Sequence, residues 1–97
     1  MPNYIVLSKW TAQGLHDIKQ SPGRLDAGRT AFEAVGVKIK DFYMLTGQYD
    51  MMVTVEAADD EALAKAILGT TSRGSFTTET YRAYTEDEYR KIIDGLP

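Results

Sequence analysis

The sequence predicts an α+β domain in which a four-stranded antiparallel sheet carries two helices on one face. The main observation is a hairpin pattern: residues 38–46 and 51–57 are rich in β-branched and aromatic side chains, and residues 47–50 between them favour a turn. Helical patterns lie on both sides of this hairpin, and strand patterns lie outside them at residues 3–10 and 75–84. A hairpin cannot bury its apolar face alone, so these segments are expected to complete one sheet.

The elements before the hairpin follow from local patterns. Successive side chains of a strand point to opposite faces, and in Asn3–Trp10 both faces are largely apolar. This pattern predicts a strand that is covered on both sides. Residues 12–19 predict a short, irregular helix. Ser21 and Pro22 predict the N-cap and the first residue of a longer helix, which Gly36 ends in a left-handed conformation. The buried stripe of that helix is predicted to consist of Leu25, Gly28, Phe32 and Val35, and its glycine is expected to allow close approach to the sheet.

The elements after the hairpin complete the order. Residues 58–69 predict the second helix, because the acidic residues at its start suit the helix dipole. A polar loop at residues 70–74 separates it from the last strand. Thr85 and Glu88 have the spacing of a capping box, which predicts a short C-terminal helix. The order is β-α-β-β-α-β with a helical tail, which is that of the ferredoxin-like fold.

Length and composition limit the classes of function. The 97 residues suffice for one domain spanning residues 1–97, and a net charge of -3 disfavours binding to nucleic acid. The chain has no cysteine, no apolar run of about 20 residues and no signal-peptide pattern, so we expect a cytoplasmic protein without membrane contact. One histidine and the lack of phosphate-loop or dinucleotide motifs lead us to expect neither a metal nor a cofactor.

The predicted sheet has apolar side chains on both faces, although two helices can cover only one. Six of these side chains, all aromatic or methionine, are Trp10, Tyr43, Met44, Met51, Met52 and Tyr81. These residues could line a pocket for an apolar molecule, or they could form the centre of a subunit interface. We favour the interface, because aromatic residues and Met are enriched in interface centres. The expected partner is a second copy of the chain, in a homodimer through the open sheet face or in a higher oligomer.

Two residues of the hairpin turn and the single histidine are candidates for chemistry. Asp50 could act as a base or ligand anchor beside Tyr49, or it could accept backbone N–H bonds in the turn while Tyr49 packs at the sheet edge. His16 has an unperturbed pKa of about 6.5, which suits acid–base chemistry. It lacks a fixed partner, because a helical conformation would turn the adjacent Asp17 elsewhere.

Two arginines are candidates for holding an anionic ligand. Arg82 lies in the last strand and could hold a carboxylate with two parallel bonds, or it could pair across the sheet with Glu56 or Glu79. Arg24 lies in the first turn of a helix, where its charge opposes the dipole. We favour a solvated helix face for Arg24, although its unusual position leaves a role in binding as the alternative.

A set of short motifs, in order along the chain, resembles the GYD-domain proteins. The motifs are Trp10-Thr11-x-x-Gly14, Ser21-Pro22-x-Arg24, Gly36, Gly47-x-Tyr49-Asp50 and the run TTETYRA at residues 77–83. GYD-domain proteins are small bacterial proteins of the dimeric α/β-barrel superfamily. The resemblance covers nearly the whole chain and implies a ferredoxin-like protomer and a dimer with paired sheets, without an established chemistry. Residues 45–84 are also similar to the ligand-sensing domain of Lrp/AsnC-type regulators, which suggests a free-standing sensor or ligand carrier.

These observations predict a small homodimer that binds a small molecule in the cleft between the sheet and the helices. The ligand-binding candidates are Trp10, His16, Arg24, Tyr49 and Arg82. The alternative is a cofactor-free enzyme of the isomerase, monooxygenase or decarboxylase type, acting on a small aromatic or lactone-like substrate. Its catalytic candidates, which would have to converge on one cavity, are His16, Asp50 and Arg82. A third possibility is a purely structural partner for another subunit.

Overall fold

The computed structural model describes residues 1–97 and has four strands and four α-helices in the predicted order. In chain order the elements are β1 (Asn3–Trp10), α1 (Ala12–His16), α2 (Ser21–Ala34), β2 (Lys38–Met44), β3 (Met51–Glu56), α3 (Asp60–Thr71), β4 (Phe76–Ala83) and α4 (Glu86–Asp94). A short 3-10 turn, Ile18–Gln20, links α1 to α2. The α+β, ferredoxin-like arrangement is therefore confirmed.

The four strands form one antiparallel sheet in the order β2-β3-β1-β4. Val6 of β1 lies opposite Val53 of β3 and Thr80 of β4, which fixes the register of these three strands. The β2–β3 ladder contains an irregularity between Ile39 and Asp41. The Cα positions span only 18 Å in the thinnest direction, as expected for one sheet with a single layer of helices about 10 Å away.

The two faces of the sheet differ in how well they are covered. On the helix side, Tyr4, Val6 and Val55 are buried and pack with residues of α2 and α3 in one core. On the opposite side, Ile5 and Leu7 are only half-buried, although they alternate with those core residues in β1. The half-buried or exposed apolar and aromatic side chains of this open face are Ile5, Leu7, Tyr43, Met52 and Tyr81.

Two helix boundaries differ from the predicted ones. Ser21 is the first residue of α2, not its N-cap, because the preceding 3-10 turn is already close to helical geometry. Gln20 occupies the N-cap position, and its side chain makes no capping bond. The second long helix, α3, does not close at Gly69 but continues to Thr71. The hydroxyl groups of Thr70 and Thr71 donate to carbonyls one turn back, so both polar side chains are satisfied within the last turn of the helix.

Two glycines have roles that differ from the predicted ones. A Cβ atom at Gly28 would meet nothing within 4 Å, so this residue does not mediate the expected close approach of α2 to the sheet. A Cβ atom at Gly14 would lie 2.0 Å from the carbonyl oxygen of Ser75, so close approach occurs there instead. Gly36 ends the α2 region with a φ of 80°, as predicted.

The C-terminal helix α4 starts with the predicted capping box. Thr85 Oγ1 accepts from the Glu88 N–H at 3.1 Å, and Glu88 Oε1 accepts from the Thr85 N–H at 2.9 Å. One side of α4 carries Tyr89, Ile92 and Ile93, all roughly half exposed, and the helix makes few contacts with the rest of the protein. None of the helices combines the length and apolar character that crossing a bilayer requires.

Candidate functional site

The β2–β3 loop is held against β1 by Asp50. The Trp10 N–H donates to Asp50 Oδ2 at 2.9 Å, and the Asp50 N–H donates to the Ser8 carbonyl at 2.8 Å. Both groups of Asp50 are therefore used to attach the turn to the end of β1, which is the backbone-bonding alternative that the sequence left open. Its carboxylate is committed to the backbone and does not line the main cavity.

The loop between α3 and β4 is attached to the same end of the sheet by Thr11. The Thr11 hydroxyl donates to the Gly74 carbonyl at 2.6 Å, and the Thr11 N–H donates to the Ser75 carbonyl at 3.1 Å. The same hydroxyl caps α1 by accepting from the Gly14 N–H at 3.1 Å. Three loops thus meet where β1 ends, and two of the short motifs lie there, at residues 10–14 and 47–50.

A cavity of about 100 Å³ lies beside these loops, between the helix side of the sheet and α2. Its apolar wall includes Leu25, Phe32, Ile39, Phe42, Val53 and Phe76. Gly28 of α2 also faces it, which explains the free space next to this glycine. Six polar residues also line the cavity: Ser8, Ser21, Arg24, Thr70, Arg73 and Ser75. The cavity therefore combines an apolar wall with hydroxyl and guanidinium groups.

Arg24 is fixed at this cavity by backbone carbonyls. Its guanidinium donates to the Asp17 carbonyl at 3.0 Å and to the Gly14 carbonyl at 3.2 Å. These two bonds occupy two of the five N–H donors of a guanidinium. Because no carboxylate pairs with it, the charge and the remaining donors stay available to a ligand.

His16 lies outside the cavity. Its side chain is 85% exposed, and Nδ1 lies 3.0 Å from Asp17 Oδ1. The expectation that Asp17 would face elsewhere is wrong, because α1 ends at His16 and the backbone of Asp17 leaves the helical conformation (φ −106°, ψ 36°). The two side chains form an exposed pair on the surface.

Arg82 also lies away from the cavity, next to the start of α4. It donates to the Asn3 carbonyl at 3.2 Å, pairs with Glu88 at 3.5 Å, and its guanidinium lies 4.4 Å from the centre of the Tyr84 ring. The expected cross-strand pairing with Glu56 or Glu79 does not occur, because Arg82 lies on the helix side of the sheet, next to Tyr4 in the β1–β4 register. Arg82 lines a separate, open groove along α3.

A polar cluster lies on the open face of the sheet. The hydroxyls of Tyr49 and Tyr81 both donate to Glu79 Oε2, and Lys9 Nζ lies 5.4 Å from the centre of the Tyr49 ring. The bond to Glu79 raises the pKa of Tyr49 to about 12 and also raises that of Tyr81. The same hydrogen bonds, from Tyr49 first, lower the pKa of Glu79. The sequence named Glu79 only as a possible partner of Arg82, because Tyr49 lies in a loop 30 residues away and nothing near Glu79 in sequence indicates that the two would meet.

Replacing Glu79 by glutamine is expected to lower the pKa of Tyr49 from about 12 towards 10, the ordinary value for tyrosine, because a neutral amide stabilises the protonated phenol less. Ultraviolet titration of tyrosinate should then show more of the six tyrosines ionising near pH 10. In the unaltered protein, a raised tyrosine pKa adds stability that is complete below pH 10 and is lost as the pH rises towards 12. Identical titration curves for the two proteins would contradict this cluster.

The structure brings two of the predicted ligand-binding residues together. Trp10 and Arg24 line the same cavity, whereas Tyr49 lies on the opposite face of the sheet and His16 and Arg82 lie elsewhere on the surface. The cavity residues that sequence reasoning missed are Ser8, Arg73 and Ser75. The one signal available for them was a serine among the apolar residues of β1, on the same face as Tyr4 and Val6. No three His, Asp or Glu side chains lie close enough to share a metal ion.

Comparisons with known proteins place the chain in a family. The model of the GYD domain matches residues 4–93. A protein of Thermus thermophilus described as "Glutamine synthetase and cystathionine beta-lyase binding protein" is 37% identical over 84 residues, which cover 86% of this chain and 88% of that protein. The crystal structure of TTHA0845, also from Thermus thermophilus, matches with a TM-score of 0.55 and 25% identity, over 89% of this chain and all of that one. The crystal structure of FFRP-DM1 matches with a TM-score of 0.56 at 20% identity, over 87% of this chain and all of that one, and shows the shared fold alone. The chain belongs to the GYD-domain family.

Proposed function

We propose that this protein is a binding protein that works as a homodimer and holds a small molecule in the cavity between the sheet and α2. The observation that carries the proposal is the cavity itself, with its apolar wall and a few polar groups at one end. Small-molecule sites typically have this composition. A space of about 100 Å³ beside the core leaves room for a compact ligand.

The homodimer is supported by the open face of the sheet. Half-buried Ile5, Leu7 and Met52 lie beside exposed Tyr43 and Tyr81, so apolar side chains face water in the single chain, next to the polar cluster around Glu79. Such a surface on a small domain marks an interaction site. Pairing with the same face of a second copy would cover both surfaces by one two-fold contact.

Gly28→Leu is expected to fill the cavity and abolish stabilisation by any small molecule that binds there. The side chain fits without a clash, because a Cβ atom at this position meets nothing within 4 Å, and leucine favours the helix more than glycine does. The measurement is a thermal-shift and native mass-spectrometry screen of metabolites on both proteins.

Gly23→Leu is the matched control, since Gly23 lies in the same helix with free space around it and does not line the cavity. The expected result is binding to the natural protein and to the Gly23→Leu variant, with none to Gly28→Leu. A broad panel without a binder, or a binder that Gly28→Leu retains, would remove the proposal.

A second candidate function is binding to a partner protein that is an enzyme. The Thermus relative is described as binding glutamine synthetase and cystathionine β-lyase, and α4 of this chain presents Tyr89, Ile92 and Ile93 to solvent. An amphipathic helix with an exposed apolar side suits a groove on a partner protein. Adding these two purified enzymes to the same screen separates the two candidates. Gly28→Leu does not alter α4, so it should abolish binding of a small molecule in the cavity but not binding of an enzyme at α4.

Catalysis without a cofactor has less support. The enzyme alternative requires His16, Asp50 and Arg82 to converge on one cavity, but they lie on three different parts of the surface. Asp50 is bonded to the backbone, and His16 pairs only with its neighbour in sequence. We therefore base the proposed function on binding.

A further inference from the structure

We propose that the ligand of the cavity is a small organic carboxylate with an apolar body, whose charged end lies between Arg24 and Arg73. This inference rests on the proposed function and specifies its ligand class. It follows from three independent features of the cavity: unpaired positive charge, unpartnered hydroxyl groups and the absence of any acidic residue among the residues that line it.

The polar end of the cavity is positively charged and has no counter-ion in the protein. Neither Arg24 nor Arg73 forms an ion pair, although both line the cavity. The first turn of α2 supplies Ser21 as well as Arg24 to the same lining, and the N-cap residue Gln20 makes no side-chain bond. The positive end of the α2 dipole lies on this side of the cavity and favours an anion.

Two serine hydroxyl groups at the cavity have no hydrogen-bond partner in the protein. Ser8 and Ser75 have only 7% and 8% of their surfaces exposed, yet neither side chain forms a hydrogen bond within the protein. Every fully enclosed polar side-chain atom in the protein has a hydrogen-bond partner. The two serine oxygens have none, so they are not fully enclosed, and both residues line the cavity. Because buried hydroxyls are normally hydrogen-bonded, a bound polar group is the expected partner.

The apolar wall determines the size and polarity of the part of the ligand that lies outside its charged group. Phe32, Phe42 and Phe76 line the cavity together with aliphatic side chains. A water molecule needs roughly 10–15 Å³ of such space, so 100 Å³ corresponds to about seven to ten water-sized groups. A compact aromatic or branched carboxylate has this size. A cationic ligand is disfavoured, since it would lie beside Arg24 without a carboxylate to meet it.

The test compares three probes of the same shape and different charge: phenylacetate, 2-phenylacetamide and phenethylamine. Calorimetry or ligand-observed NMR at neutral pH should show phenylacetate binding about tenfold or more tightly than the amide, and no binding of the amine. Arg73→Gln should weaken phenylacetate binding about tenfold, because it removes a charge-assisted interaction. The Arg73 side chain makes no hydrogen bond or ion pair within the protein, so its replacement should leave the melting temperature unchanged.

Arg29→Gln is the matched control, because Arg29 lies in α2, does not line the cavity and carries the same charge. Ser8→Ala should also weaken phenylacetate binding if that hydroxyl contacts the ligand. Equal affinities for the acid and the amide, or equal effects of Arg73→Gln and Arg29→Gln, would overturn the ligand class while the cavity remains a binding site. Absence of binding by all three probes overturns the inference, and the Gly28→Leu screen then decides whether the cavity binds anything.

Discussion

Gly14→Ala is expected to destabilise the protein by roughly 3 kcal/mol or more, which corresponds to a fall in Tm of about 15 °C for a domain of this size. The new methyl group would lie 2.0 Å from the Ser75 carbonyl oxygen, a backbone atom that cannot rotate away. Relief requires α1 and the α3–β4 loop to separate. That movement would also break the two Thr11 bonds to Gly74 and Ser75, each of which contributes about 1 kcal/mol.

Gly69→Ala provides the control for this experiment. Gly69 lies inside α3, and a methyl group added there would meet nothing within 4 Å, so alanine should stabilise the protein by about 0.5–1 kcal/mol. Urea denaturation followed by circular dichroism measures both variants. A Gly14→Ala protein as stable as the natural one would mean that the loop contact at the end of β1 is not formed as described.

Ile5→Glu is expected to convert the proposed homodimer into a monomer at micromolar concentration. Ile5 is half-buried in the centre of the open face, between Thr54 and Tyr81 in the neighbouring strands. In a single chain a carboxylate at this position remains hydrated. In a paired-sheet dimer it would be buried without a partner, and two copies would lose roughly 3 kcal/mol or more, which is over a hundredfold in the dissociation constant.

Ile18→Glu is the matched control, because Ile18 is a partly exposed isoleucine in the turn before α2 and lies outside the sheet. Sedimentation velocity should give a dimer for the natural protein and for Ile18→Glu, and a folded monomer for Ile5→Glu. A natural protein that sediments as a monomer at these concentrations would exclude the paired-sheet dimer. An Ile5→Glu dimer would show that association uses another surface.

The local patterns of the sequence predicted most of the fold. The alternation in Asn3–Trp10 gave the bounds of β1, and the Thr85–Glu88 spacing identified the start of α4, because both depend on residues close in sequence. Contacts between distant segments could not be predicted in this way. Residues 12–19 predicted only a short, irregular helix, since nothing near Gly14 in sequence indicates that the Ser75 carbonyl would lie against it.

The candidate site was predicted less completely than the fold. The prediction selected Trp10 and Arg24, which share the cavity, but it also selected exposed polar residues that do not. Ser75 and Arg73 belong to a polar loop whose position depends on the bonds from Thr11, and a polar loop alone gives no reason to choose two of its residues. The expected role of Gly28 was wrong for the same reason: its free space depends on how α2 lies over the sheet.

The slight attachment of α4 has a consequence for communication between binding events. The helix begins with a capping box of its own and makes few contacts with the layers that enclose the cavity. Two events that perturb separate sets of contacts have a coupling free energy near zero. Within one chain, we therefore expect a protein that engages α4 to bind with the same affinity whether the cavity is filled or empty, and any allosteric effect would have to be transmitted through the second copy in the proposed homodimer.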